Sequence, residues 1–392
     1  MNRPTLEVAD IIRQHGKDFI ARNRHRLSWQ QLKVLRAIER CRTAALGGHR
    51  DRCPRCGPRA ISYNSCRNRH CPKCLTHARD RWLADRGKEL LNVDYFHVVF
   101  TLPEELSELT LQNQKVIYQL LFRTSAATLL EVAADPGHLG AQIGFLSVLH
   151  TWGQNLHHHP HVHSVVPAGG LSPDGTRWIH SGKRFFLPVK VLSRVFRGKF
   201  AAGLKRAFRK GKLVFSGRLK ALATPAAFNS FLRALFRKQW VVYAKPPFGG
   251  PKHVLHYLAR YTHRVAISNH RLLGLADGQV SFRWKDYAHG ARTGVMSLGA
   301  DEFLRRFLLH VLPKGLVRIR FFGFLANRHR STQLTLCQRL LPCAPVRQPG
   351  SAQVRSETSG WRCPVCGSTM IVVERLSAHQ LMALTESYAD TS

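Results

Sequence analysis

Acidic residues are scarce in this chain of 392 residues: 23 Asp and Glu stand against 60 Lys and Arg, a formal net charge of +37. So small an acidic complement, with no suggestive grouping, argues against a site built from three carboxylates for water-driven cleavage. Runs of 18 or more apolar residues are absent, which excludes a membrane-spanning helix of ordinary length. The start MNRPTLEVAD lacks the apolar h-region of a signal peptide, so residence in the cytoplasm is expected. No G-x-x-x-x-G-K-[ST] phosphate loop occurs, and no internal repeat of useful length. What the chain does contain is 44% hydrophobic and 9% aromatic residues, enough for two or three domains with real cores. The cationic excess exceeds what solubility demands and points to a polyanionic partner. Its dense stretches, 22–26, 194–212 and 318–330, are dispersed, so no single tail carries the charge and nucleic acid would be bound in a salt-dependent way.

Hydrophobic periodicity predicts an α+β chain. Helices open it, with Ser28 and Gln31 forming a capping box ahead of Leu32, Leu35 and Ile38. A strand is expected from Tyr95 to Leu102, then a long helical stretch ending near Asp135, strands over Ile143 to His150 and His161 to Val166, and a hairpin tipped by Asp174-Gly175. Basic helices follow at Val189 to Lys210 and Pro225 to Lys238, a strand at Trp240 to Ala244, and further strands at Val280 to Trp284 and Leu316 to Phe322 around a helix near Phe303 to Val311. The Pro, Ser and Gly content of 343–360 reads as a linker. The expected divisions are 1–92, helical and zinc-binding; 93–335, a mainly antiparallel sheet with helices; and 336–392, linker, half zinc knuckle and tail.

Ten cysteines in a reducing compartment are better read as metal ligands than as disulfides. Cys53-x-x-Cys56 and Cys71-x-x-Cys74, 14 residues apart, have nearly the spacing of a structural zinc ribbon: two thiolates at the mouth of each tight turn complete a closed tetrahedron. Such an ion contributes on the order of 10 kcal/mol to local folding. Cys41, His49, Cys66 and His70 form a second interleaved set of ligand types, so the module could be binuclear. Cys363-x-x-Cys366 is half a knuckle that Cys337 and Cys343 could complete.

The run HHHPHVH carries the chemistry. On a strand His161 and His163 project from one face while Val162 points to the other, so two imidazoles can grip one divalent ion. Three residues compete as a third ligand, His150, Gln154 and His159, and spacing alone leaves the choice open. Downstream, Tyr257 and Tyr261 stand four apart, one turn on a helix. A phenol is a poor nucleophile at neutral pH, and a Lewis acid that polarises the scissile phosphate lowers the demand on it. Lys252, Arg260 and Arg264 could neutralise phosphates, and Trp240, Tyr243, Trp284 and Tyr287 could stack on unpaired bases.

These segments, HTWGQNLHHHPHVH at His150 to His163 and LHYLARYTHRVAIS at Leu255 to Ser268, resemble the transposases of rolling-circle insertion sequences, the insertion-sequence ninety-one group. LGGHRDRCPRCG and YNSCRNRHCPKC are similar to that family's amino-terminal zinc-binding domain, and FRWKDYAHG and RIRFFGFLAN also fit. The resemblance runs in order over residues 10 to 370. It implies an HUH-type nuclease on a central antiparallel sheet, with Mg²⁺ or Mn²⁺ on His161, His163 and, favoured by resemblance, Gln154. It implies Tyr257 and Tyr261 as paired nucleophiles forming a 5′-phosphotyrosine with single-stranded DNA at element ends. Without a phosphate loop, strand separation would fall to a host helicase or other replication proteins. The chain departs from the pattern at Phe321-Phe322, where relatives are expected to carry an aromatic hydroxyl. A plasmid replication initiator or relaxase with the same chemistry, and a non-catalytic zinc-ribbon DNA-binding protein, are the competing readings. Target sequence, oligomeric state and the order of the tyrosines are not legible.

Overall fold

A computed structural model describes residues 4–74, 82–182, 186–245, 254, 266–286, 290, 292–341 and 362–389. Two helices open it, α1 (Val8–Asn23) and α2 (Trp29–Glu39). The Ser28 hydroxyl accepts from the Gln31 backbone N–H and the Gln31 side chain accepts from that of Ser28, so the predicted capping box sets where α2 begins. Strands β1 (Gly48–Arg52) and β2 (Arg59–Tyr63) form a hairpin.

The centre is a five-stranded antiparallel sheet. Its strands are β3 (Tyr95–Thr101), β4 (Gly144–Trp152), β5 (His158–Pro167), β8 (Val242–Lys245) and β12 (Ile319–Gly323), in the order β12-β4-β5-β3-β8. Between these lie α3 (Ser107–Gln112), α4 (Gln114–Ala134), the hairpin β6 (Gly169–Leu171) with β7 (Trp178–His180), α5 (Val189–Arg209) and α6 (Pro225–Arg237). Alternation in the strands divides the sheet's faces. Phe96, Val98, Phe100, Phe145, Leu149, Val162 and Val166 point into a core closed by α4, α5 and α6, where Leu121, Phe196, Phe200 and Phe228 are fully buried. The other face carries His97, His161 and His163 beside Tyr95, Leu146, Val148 and Val165, and Val254 packs onto it.

A second three-stranded sheet, β9 (Leu272–Ala276), β10 (Gln279–Asp286) and β11 (Arg292–Gly299), leads into α7 (Ala300–Leu309). Helices α1 and α2 lay their apolar faces on it: Ile11, Ile12, Leu35 and Ile38 share a core with Val280, Phe282, Phe303 and Phe307. Arg22 pairs with Asp301 at 2.8 Å, and Arg69 donates to the carbonyls of Leu316 and Pro313. Helix α8 (Arg330–Leu340) packs with Leu91, Trp178 and Phe324. After it come β13 (Ile371–Leu376) and α9 (Ala378–Ala389), and β13 pairs antiparallel with β1, giving the order β13-β1-β2.

The α+β class, the helical and cysteine-bearing start and the central antiparallel sheet agree with the sequence reading. Amphipathic helices need a partner for their apolar faces, and α1 and α2 find theirs in each other and on β10 and α7. The last described segment returns to the first hairpin instead of standing as a tail.

Candidate active site

Neighbouring strands assemble the site. β4 and β5 pair so that His150 lies directly opposite His161, and Val148 opposite His163. Residues opposed across an antiparallel pair share a face, and the ligating nitrogens of His150, His161 and His163 all lie within 4.8 Å of one another. The imidazoles of His150 and His163 are 4.4 Å apart, those of His161 and His163 4.8 Å. His150 and His163 are buried and His161 partly open, so the trio is rooted in the sheet and reaches solvent on one side.

Tautomers follow from the hydrogen bonds. A carbonyl can only accept, so His161 Nδ1–H donates to the His159 carbonyl at 2.6 Å and its Nε2 lone pair is left to a ligand. His163 Nδ1 lies 2.7 Å from Nε2 of His97, on β3. With His163 as the donor there, its own Nε2 is likewise left to a metal, the arrangement by which an outer hydrogen bond orients a ligating imidazole. Burial pushes His161 down to about 4, with the neighbouring His159 adding to the effect. His97 is pushed down to about 3, by burial first and then by Lys245 and His161. Both rings are therefore neutral at pH 7, the form that binds cations. Three imidazole nitrogens with an open side form a donor set that fits a divalent ion, and suits a transition ion better than a hard one.

Of the competing third ligands, the structure brings His150 to the pair. Gln154 lies in the turn between β4 and β5, its backbone carbonyl accepting from Arg271. His159 is exposed, its ring 5.2 Å from that of His161. Spacing hid the pairing because His150 belongs to the preceding strand, and the turn length decides which residue comes opposite. His97 was missed altogether. A lone imidazole in the apolar strand YFHVVF was the available signal, since a buried polar group needs a partner.

Tyr257 and Tyr261, with Lys252, Arg260, Arg264 and Tyr287, lie outside the described residues. Val254 is described, fully buried among Tyr95, Leu146, Val148 and Val165 on the histidine face. Tyr243 opposes Val99, which itself opposes His163, so it stands two strands away on the same face and is 50% exposed. Trp240 is instead a core residue, its Nε1–H donating to the Leu235 carbonyl, which leaves it no open face for a base; Trp284 is half-buried against the second core. Phe321 opposes Leu146 on the histidine face, with the guanidinium of Arg330 5.1 Å from its ring centre.

The cysteines group otherwise than their order suggests. Cys71 and Cys74 join Cys41 and Cys66, with Sγ separations of 3.4 Å for Cys41 to Cys74 and 3.5 Å for Cys66 to Cys74. Cys53 and Cys56 meet Cys363 and Cys366 instead. His49 and His70 belong to neither group: His49 faces Asp51 at 3.6 Å, and His70 is buried, its Nε2 accepting from the Leu312 N–H. Cys337 is buried against Leu334 and Trp178, away from Cys363. The reason is topological. β1 and β2 carry the first knuckle away from Cys71, while the end of α2 delivers Cys41 to it.

Comparison with known proteins gives a consistent set of likenesses. A family model described as "Transposase zinc-binding domain" matches residues 11–102, and one described as "Putative transposase" matches residues 144–333. The chain is 54% identical over 385 residues, 95% of its own length and 96% of the other's, to a protein of Sinorhizobium fredii named "Putative transposase y4qJ". It is 27% identical over 364 residues, 88% of its length and 83% of the other's, to the transposase for insertion sequence element IS801 of Pseudomonas savastanoi pv. phaseolicola. No solved structure matches.

Proposed function

The chain belongs to the transposases of the insertion-sequence ninety-one group, and from that premise we propose that it nicks and rejoins single-stranded DNA at element ends through a 5′-phosphotyrosine. The observation that carries this reading is the convergence of His150, His161 and His163 on one open face, inside the segment matched by the transposase model. His161 and His163 would hold a divalent cation, Mg²⁺ or Mn²⁺, with His150 as the third protein ligand in place of Gln154. Bound there, it would polarise a phosphate oxygen as a Lewis acid.

The protein's own groups do the rest. A hydroxyl of Tyr257 or Tyr261 attacks the phosphorus, the P–O3′ bond breaks, and the departing 3′-oxygen takes up a proton. The enzyme keeps a 5′-phosphotyrosine ester, which a 3′-hydroxyl later attacks, returning the phenol. Two features support this assignment. Val254 sits on the histidine face three residues before Tyr257. No Asp or Glu occurs between Asp174 and Asp277, so the segment that carries both tyrosines would meet phosphates without carboxylate repulsion. Lys252, Arg260 and Arg264 in that segment contact the backbone, and Tyr243 offers its exposed ring to an unpaired base.

The test incubates the full chain with labelled single-stranded element ends and Mn²⁺ or Mg²⁺ and follows a protease-sensitive covalent adduct on the 5′ fragment. Tyr257→Phe with Tyr261→Phe should abolish the adduct, as should His161→Ala with His163→Ala. Cleavage that persists without adduct in the double tyrosine variant would refute the phosphotyrosine.

A further inference from the structure

Two cysteine knuckles more than 300 residues apart are built alike. The sequences are Cys53-Pro54-Arg55-Cys56-Gly57 and Cys363-Pro364-Val365-Cys366-Gly367. In the first, the Gly57 N–H donates to the Cys53 carbonyl at 3.1 Å and the Cys53 N–H to the Pro58 carbonyl at 2.9 Å. In the second, the Gly367 N–H donates to the Cys363 carbonyl at 2.9 Å and the Cys363 N–H to the Ser368 carbonyl at 2.8 Å. Gly57 and Gly367 both take a left-handed conformation, φ 87° and 71°, which glycine adopts without steric cost. Cys71-Pro72-Lys73-Cys74 is followed by Leu75 and lacks that glycine.

The two knuckles face each other. Sγ separations are 3.4 Å for Cys53 to Cys366, 3.5 Å for Cys56 to Cys363 and 3.2 Å for Cys56 to Cys366. These are far too long for a disulfide, about 2.05 Å, and near the edge of a tetrahedron of thiolates about 2.3 Å from a central zinc, about 3.8 Å. The strands that follow the knuckles, β2 and β13, flank β1 on its two sides, so the sheet holds the knuckles in mutual register. An ion pair of Arg50 with Glu374 at 2.7 Å and a small core of Cys53, Cys363 and Met370 complete the seam.

We infer that Cys53, Cys56, Cys363 and Cys366 form a second tetrathiolate zinc site, separate from that of Cys41, Cys66, Cys71 and Cys74, which fastens the segment 362–389 onto the first hairpin. That segment lies beyond residues 11–102 and 144–333, the stretches matched by the family models. The site is closed: four protein thiolates leave no position for substrate, so its work is to join distant parts of the chain. Neither the tyrosines nor the histidine trio enters the argument.

Metal analysis of the purified full-length chain, together with native mass spectrometry, decides it. With the histidine trio removed by His150→Ala, His161→Ala and His163→Ala in every sample, two zinc ions per chain are expected, falling to one when Cys363→Ser with Cys366→Ser is added, while β1 and β13 lose protection in hydrogen exchange. One zinc with the cysteines intact, two in the cysteine variant, or iron in place of the second zinc would overturn the assignment. Should the cysteine variant not fold, Co²⁺ exchanged into the chain with its cysteines intact gives the count through its thiolate charge-transfer absorption. Saturation at two equivalents supports the second site, and saturation at one removes it.

Discussion

At the scale of single residues, the side chain with most leverage outside the metal trio is His97. Its hydrogen bond to His163 fixes that ring's orientation from the neighbouring strand. Outer-shell partners of ligating histidines are worth about 10 to 100-fold in metal affinity. His97→Ala should therefore weaken Mn²⁺ binding by that order, measured by isothermal titration of the full chain, and His97→Gln, whose amide can still accept from Nδ1, should recover part of the loss. Mn²⁺ should bind more tightly than Mg²⁺ to the unaltered chain, since nitrogen donors outnumber oxygens in the protein's own contribution. An equal affinity for both ions in His97→Ala and its parent would show that the hydrogen bond has no part in binding. The His161 and His163 pair was legible in the sequence because alternation on a strand is a local property. His97 and His150 were not assigned, since which residues stand opposite β5 depends on register across two other strands.

Elements were read with more success than their pairing. The capping box of α2, the strand at Tyr95, the hairpin closed by Asp174-Gly175 and the basic helices α5 and α6 all follow from period and turn chemistry, which act over a few residues. The return of β13 to β1 follows from nothing local; its one trace was the glycine after the second cysteine in two of the three knuckles. Strand β12 shows how backbone fit fixes an edge. Gly323 ends it at φ 60°, and a Cβ there would stand 1.8 Å from the Ile143 carbonyl oxygen and 3.0 Å from the Gly144 Cα. Those are backbone atoms at the start of the adjoining strand and just before it, and they cannot rotate away. Gly323→Ala should cost more than about 3 kcal/mol and detach β12 from the strand that carries His150. Thermal unfolding and Mn²⁺ affinity would fall together. A melting temperature within a degree or two of the parent would disprove the close approach.

For the whole molecule, buried imidazoles set the response to acid. Burial pushes His70, His97 and His158 down to about 3 and His310 down to about 4. The native state keeps them neutral: His158 bonds with the Tyr118 hydroxyl at 2.8 Å, and His310 Nε2–H donates to the Leu156 carbonyl at 3.0 Å. The unfolded chain binds these protons near pH 6.5, so below that value it holds more protons than the native chain and stability falls as pH falls. The decline should run from about pH 6.5 down to the folded values of 3 to 4, seen as a urea midpoint that drops between pH 7 and pH 5. A midpoint flat over that interval would mean that the rings titrate freely in the fold.

Pairing of β1 with β13 also orders events during synthesis. A ribosome delivers Gly48–Arg52 long before Ile371–Leu376, so the opening hairpin must wait with one edge bare until that distant strand has been made. A product that stops early, through a frameshift or a nonsense codon, keeps that edge open for good and presents chaperones and proteases with an unfinished strand. Sealing the early hairpin thereby depends on a strand made some three hundred residues later.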